Sequence, residues 1–409
     1  MATTISKTQN FENRRPLSTL HQTLLLVSLP FGILNYVLPI YGKQTGASAA
    51  EIGLSFSVFS LMTVLMRPLV GTGLDRYGRR GFFIAGLAGY GLSMVAFAWS
   101  ATVWGLITAR VLQGAASSLL WLAAQAIVAD TAGAENRGQA FGAISQAANQ
   151  GGIIGTFIGF SVLFSIGIEA GWSPLFLGYA AVSAAAVFVA WARMPETRPA
   201  DLSQQAPADS SSGLSGLRSV LRSRSLGVLL GVGLITAASS AMIAPVLMIF
   251  LQEKFQANVG ELAWAFFPSA LVWTVLPTRL GKLADRFGRK PLMIAGLAVA
   301  AVNSFIIPMA GSLVTLAALW VIEAVCFAAS DPASQALITN LTQPHERGRV
   351  YGVFALAGGL GASIGPLVGG WMYDTAGAWA PFTANAIFLI LGALLMARFL
   401  RDPKIDEPV

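Results

Sequence analysis

The sequence predicts an all-α integral membrane protein, with twelve transmembrane helices arranged as two pseudo-symmetric six-helix bundles. Three observations predict it. Of the 409 residues, 55% are hydrophobic and 11% charged, with a mean hydropathy of +0.66. A soluble protein carries roughly a quarter charged residues, so this chain has too few to cover a globular surface. Twelve apolar runs reach or approach the ~20 residues that a helix needs to cross the hydrocarbon core. Finally, the first half of the chain returns, diverged but in register, as the second half.

The runs lie near residues 20–41, 50–70, 81–99, 102–128, 139–166, 173–192, 226–251, 261–278, 291–310, 313–338, 350–372 and 378–397. Backbone polar groups cannot stay unpaired in lipid, and these runs lack the alternation of barrel strands, so each is read as a helix. Lys and Arg set the orientation. With the N-terminus on the inner side, 22 of the 26 basic residues fall in the inner loops and tails, against Lys43 and Lys254 outside and Arg67 and Arg110 within spans. The expectation is a cytoplasmic (plasma or inner) membrane protein with both termini cytoplasmic. Residues 195–225, with Pro195, Pro199, Pro207 and Ser210-Ser211-Ser212, interrupt the apolar rhythm. They divide the chain into a bundle over 1–194, a cytoplasmic linker over 195–225 and a second bundle over 226–409. The end of that linker, Leu214 to Leu226, carries Arg218, Arg222 and Arg224 and reads as a short basic amphipathic helix on the inner leaflet.

Several functions are excluded. The chain holds two histidines and one cysteine, Cys326, so no disulfide framework, Cys/His zinc site or haem-attachment motif is expected, and no metal or cofactor. His21 and His345 fall at cytoplasmic span ends and there is no phosphate-binding G-x-x-x-x-G-K-[ST] loop, which argues against a membrane enzyme and against an ATP-driven pump. The net charge of +7 follows from orientation, and nucleic acid is not an expected partner. The expected partners are a small-molecule substrate, protons and the bilayer, with the chain acting as a monomer.

The internal repeat has a fixed offset of 210 residues. Gly71-Thr72-Gly73-Leu74-Asp75-Arg76-Tyr77-Gly78-Arg79-Arg80 returns as Gly281-Lys282-Leu283-Ala284-Asp285-Arg286-Phe287-Gly288-Arg289-Lys290. Glu51 returns as Glu261, Gln125 as Gln335, and the glycines at 142, 151, 155 and 159 return at 352, 361, 365 and 369. Six spans per copy make the two halves parallel in topology.

Twelve spans in two halves, a long central loop and the doubled G-x-x-x-D-R-x-G-R-R/K motif resemble the major facilitator superfamily over nearly the whole chain. Within it the chain is most similar to the twelve-span drug:proton antiporters, whose Arg-x-x-Gln-Gly is matched on span 4 by Arg110, Gln113 and Gly114. It departs from them on span 5, where Thr156 and Phe160 replace the Pro and last Gly of the antiporter signature. The full pattern instead stands on span 11 as Gly352, Gly361, Gly365, Pro366, Gly369 and Gly370.

The resemblance implies roles. Asp75 is expected to gate by meeting the start of span 11, and Asp285 by meeting the start of span 5, where helix N-termini attract an acid. Arg76, Arg79, Arg286 and Arg289 accompany them in gating, and Arg76, Arg79 and Arg80 are expected to pair with acids or phospholipid headgroups. The small-residue faces bearing Gly151 and Gly155, and Gly361, Gly365, Pro366 and Gly369, are expected to pack across the interface between the halves and slide during exchange. The resemblance also places spans 1, 4, 7 and 10 around a central cavity.

Ionisable groups inside spans each cost a few kcal/mol and mark function by default. Glu323 lies about ten residues into span 10, with Asp331 eight residues further on, and Arg110 lies in span 4 one helical turn from Gln113. A carboxyl withdrawn from water holds its proton at neutral pH and releases it on hydration, the step a proton-coupled carrier needs. Glu323 is therefore assigned as the main protonation site, Asp331 as relay or second site and Arg110 as modulator. Cavity candidates are Asn35, Tyr36, Gln113, Gln146, Asn149, Gln150, Ser239 and Trp273. Two readings stay open: proton-coupled efflux of small lipophilic or cationic compounds, and uptake or export of one defined metabolite such as a sugar, organic acid or lipid precursor.

Overall fold

A computed structural model describes the chain except residues 1, 134–136, 199–211, 258, 276–287, 344–345 and 401–409. All described regular structure is helical. Eleven helical stretches among the described residues are long and apolar enough to cross a membrane. The remaining expected span, 261–278, is represented by α10 (Val259–Val275); residues 276–278 lie outside the described residues. The chain forms two compact units, one of residues 1–47 and 54–208, the other of 48–53 and 209–409.

In the first unit, span 1 is two helices, α1 (Ala2–Val27) and α2 (Pro30–Gln44). A single helix over 20–41 was expected. The break comes at Ser28-Leu29 because Pro30 has no N–H to donate and occupies the first turn of a new helix. Span 2 is α3 (Ala49–Tyr77), whose residues up to Gly53 belong to the second unit; span 3 is α4 (Arg80–Ala98), span 4 α5 (Val103–Thr131), span 5 α6 (Arg137–Ile166) and span 6 α7 (Ile168–Arg193). The 71–80 motif, which falls between the runs expected for spans 2 and 3, is helical to Tyr77. Only Gly78 and Arg79 turn the chain, Gly78 in the left-handed region at φ +98°.

The core of this unit is aromatic and closely packed. Trp172 stacks on Tyr41 with centroids 3.8 Å apart and donates its indole N–H to the Phe97 carbonyl at 2.7 Å, joining α7, α2 and α4. The α6 glycine stripe lies against span 1: a Cβ on Gly151 would sit 2.2 Å from the Leu25 carbonyl oxygen, and one on Gly155 1.9 Å from that of Leu29. These glycines therefore bring two helices of one unit into backbone contact, instead of serving an interface between halves as expected.

The second unit contains α8 (Ser212–Arg222), α9 (Arg224–Phe255), α10, α11 (Arg289–Ile306), α12 (Leu313–Asn340), α13 (Arg347–Ala376) and α14 (Trp379–Phe399). The amphipathic segment expected over 214–226 ends at Arg222, because the Ser223 hydroxyl accepts from the Leu226 N–H at 3.4 Å and starts α9. The α13 glycines repeat the correction made for α6. A Cβ on Gly361, Gly365 or Gly369 would collide with Ala238 or Met242 of α9 in the same unit, whereas Pro366, buried on the same helix, meets span 2, where a Cβ on Gly53 of α3 would sit 2.1 Å from its carbonyl oxygen.

The 210-residue repeat is visible in backbone detail. Gly78 and Gly288 have φ of +98° and +85°, and Gly167 and Gly377 have +84° and +87°. Thr102 caps α5 by accepting from the Gly105 N–H, and Ser312 caps α12 by accepting from that of Thr315. Turn and cap chemistry has survived where most side chains have diverged.

Candidate functional site

The Gly78 turn brings Arg79 into the first unit, where it is only 5% exposed. Its Nε donates to Asp130 Oδ2 at the end of α5 at 2.9 Å, and its Nη1 lies 3.4 Å from Asp75 Oδ1, one turn back on α3. The Arg79 guanidinium also reaches the Leu74 carbonyl, closing the C-terminal end of α3. Arg79 is thus a clamp within its unit, where the sequence assigned it to gating contacts. Asp75 keeps an exposed carboxylate (66% of the side chain), and Arg76 is exposed and lies over the Tyr77 ring.

Beyond α7, Glu196 gathers the same turn. Its carboxylate accepts the backbone N–H groups of Arg79 (2.8 Å), Arg80 (3.2 Å), Thr197 (3.0 Å) and Arg198 (3.0 Å). Burial pushes this carboxyl up, but the four donors outweigh it and hold the group below its ordinary range. The Arg80 guanidinium donates to the Trp191 carbonyl at 2.7 Å, and Arg198 to that of Arg76 at 2.8 Å. In the second unit Lys290, the repeat partner of Arg80, donates to the carbonyls of Ala397 and Leu400 at 3.0 and 2.7 Å. Asp130 has no such echo, since position 340 is Asn. Asp130 and Glu196 were missed in the sequence; for Glu196 the signal was an acid between Arg193 and Arg198 just past a span end.

Arg110 occupies a closed chamber between α3, α4 and α5. It is 3% exposed, with its guanidinium carbon 4.5 Å from the centre of the Phe56 ring, 5.5 Å from Phe59 and 5.8 Å from Phe97. Nη1 donates to Gln113 Oε1 at 2.9 Å, and Tyr90 stands within hydrogen-bond reach of Gln113 and Ser117. Nε and Nη2 have no partner among the described residues. Arg110 and Gln113 were expected to face an open cavity; both are buried inside their own bundle. Aromatic faces stabilise the charge by about 1–2 kcal/mol when desolvated, much less than burying a lone cation costs.

In the second unit Glu323, on α12, is half-buried and within hydrogen-bond reach of Asn303 on α11. Asn303 in turn donates to the Leu319 carbonyl at 2.7 Å, so its amide is oriented from both sides. A second polar chain links Ser239 to Asn385, and Asn385 to Ser304 at 2.9 Å. This corrects the assignment of Ser239, which is 1% exposed and joins α9 to α14 instead of lining a cavity. Asn303 and Asn385 carried a readable signal as amides within apolar runs.

Of the other cavity candidates, Asn35, Gln146, Asn149 and Gln150 are exposed, while Tyr36 is half-buried with its ring 6.2 Å from Phe160. Arg289 opens α11 and is half-buried. Asp285 and Arg286 lie outside the described residues, as do the side chains of Asp331 and Trp273.

Comparison with known proteins gives a consistent family. The sequence profile described as Major Facilitator Superfamily matches residues 23–276 and 229–409. The multidrug resistance protein MdtG of Yersinia enterocolitica is 26% identical, over 90% of this chain and 89% of its own. The class G tetracycline resistance protein of Vibrio anguillarum is 27% identical, over 91% and 93%. Among solved structures, a bacterial homologue of the human lysosomal transporter Spinster, inward-facing and occupied, superposes with a TM-score of 0.77 at 18% identity, over 94% of this chain and 96% of that one.

Proposed function

Because the chain belongs to the major facilitator superfamily, we propose that it is a secondary active transporter working by alternating access, exporting small lipophilic or cationic organic compounds in exchange for protons. The observation that carries the proton-coupled part is Glu323, a half-buried carboxylate in a membrane span, held by an amide that is itself oriented by a backbone carbonyl. Intramembrane acids are retained where they do work. The drug-resistance relatives support the efflux direction.

In this reading Glu323 carries the proton and Asn303 positions its carboxyl. Asp331 relays the proton toward the cytoplasmic side. Arg110 supplies a fixed positive field in the other bundle, and the Asp75 carboxylate at the end of α3 serves as a gate whose backbone is stiffened by Arg79, Asp130 and Glu196. The protein acts as a monomer in the cytoplasmic membrane, with both termini cytoplasmic.

The test is transport of a fluorescent lipophilic cation in proteoliposomes under an imposed pH gradient. Glu323→Gln is expected to abolish uphill movement while leaving exchange down the cation's own gradient. Unchanged uphill transport overturns the assignment. Transport of one defined metabolite is favoured by a single observation, Thr156 and Phe160 in place of the Pro and Gly of the antiporter signature. Saturable uptake of one metabolite, indifferent to a protonophore, would establish that reading in its place.

A further inference from the structure

Helix α8 takes no part in the transport steps proposed above, and it presents both leucine and arginine outward. Successive residues in a helix advance by about 100°, so Leu217, Val220 and Leu221 fall on one arc, with Arg218 and Arg222 beside it and Ser219 opposite. Two contacts fix which side meets the protein. Val220 is fully buried in the apolar core of the second unit, and the Ser219 hydroxyl donates to Glu346 at 3.0 Å beside the start of α13. The opposite edge is left outward. Leu221 is 64% exposed and Leu217 38%; Arg218 and Arg222 are exposed alongside them. Among the described residues neither arginine forms an ion pair. Glu346, the acid that reaches this helix, is engaged on the other edge.

Further exposed cations stand at the same end of the unit. Arg224 opens α9 and lies over the Phe399 ring at 5.1 Å, near the end of α14, and Arg347 and Arg349 are exposed in the first turn of α13. Two leucines presented outward among arginines make poor sense in water. They match the boundary of a bilayer, where leucine enters the acyl region while arginine stays at phosphate depth.

We propose that the outward edge of α8 is a binding surface for anionic phospholipid, with Leu217 and Leu221 inserted among acyl chains and Arg218 and Arg222 holding the acidic headgroup. The arginine fork suits a phosphate oxygen pair. Because α8 follows the 199–211 segment and packs on the second unit, this surface tethers the join between the two halves to the membrane. The inference depends on the spans being membrane helices, and is indifferent to the substrate or to coupling.

The test uses the full-length chain in lipid nanodiscs, with an environment-sensitive fluorophore on Leu221→Cys in a Cys326→Ser background. The expected result is quenching by acyl-brominated lipid, stronger when phosphatidylglycerol is present than in phosphatidylcholine alone. Arg218→Gln with Arg222→Gln should remove that difference and weaken retention of phosphatidylglycerol by on the order of tenfold. Quenching by aqueous iodide but not by lipid, or equal lipid quenching with and without phosphatidylglycerol, overturns the proposal. Protection from both quenchers overturns it too, and assigns the face to a protein contact. None of these readouts requires transport, so failure here and failure of the transport reading are separable.

Discussion

Arg79 Nε donates to Asp130 Oδ2 at 2.9 Å, with both side chains largely withdrawn from solvent (6% and 12% exposed). This pair ties the turn after α3 to the end of α5. Removing Asp130 leaves the buried guanidinium with only the exposed Asp75 carboxylate and the Leu74 carbonyl, a loss of up to about 3 kcal/mol. Asp130→Ala is therefore expected to lower the melting temperature of the purified protein clearly. Arg79→Met combined with Asp130→Leu should be less destabilised than Asp130→Ala alone. A double variant that melts below the single one would contradict the clamp.

Glu196 makes a pH prediction. Its folded-state pKa lies below the ordinary value of 4.5, because four backbone donors outweigh burial. The sign then follows from linkage: a depressed carboxyl contributes stability that is fully present above the unfolded value and lost as pH falls through the folded one. Melting temperatures of the native chain and of Glu196→Gln should differ most at neutral pH and converge below about 4.5. Convergence on raising the pH would mean that the carboxylate is not the stabilising form.

Two glycines on one helix separate packing from flexibility. A Cβ on Gly155 would lie 1.9 Å from the Leu29 carbonyl, whereas one on Gly142 meets nothing within 4 Å. Gly155→Ala must push α6 away from span 1 and should destabilise by about 2 kcal/mol. Gly142→Ala should be neutral or stabilising by up to ~1 kcal/mol, as in any compatible helix position. Thermal melts of the two variants under identical conditions make the comparison.

Much of this architecture was legible because bilayer physics is severe. Apolar run length and the 210-residue repeat follow from rules with few exceptions, and Gly78 and Gly288 kept the repeat's turns recognisable. The polar sites were less readable. Ser239 and Gln113 were read as cavity residues, since a hydroxyl or amide in a span serves equally as lining or as glue, and only the partner decides. Here the partners are Asn385 and Arg110. The glycine stripes misled in the same way: spacing shows that a close contact exists, but not with which helix. Asp130 and Glu196 went unseen because their role depends on α4, α5 and the end of α7 converging on one turn, a relation no local pattern records.

The last prediction separates function from stability at Arg110. Its guanidinium is buried among three phenylalanines, donates one hydrogen bond, to Gln113, and leaves Nε and Nη2 without partners among the described residues. Folding gains little from such an arrangement, because replacing a buried ion and its partner with apolar groups of similar volume is often neutral or stabilising by about 1–4 kcal/mol. Arg110→Met alone would strand the Gln113 carbonyl oxygen at a cost of about 1–3 kcal/mol, so the informative variant also carries Gln113→Leu. That double variant is expected to melt at or above the native temperature while losing proton-driven transport. A stable, inactive protein assigns Arg110 to coupling. A protein that melts well below the native chain, or that melts normally and still transports, would show that the charge is structural in the first case and dispensable in the second.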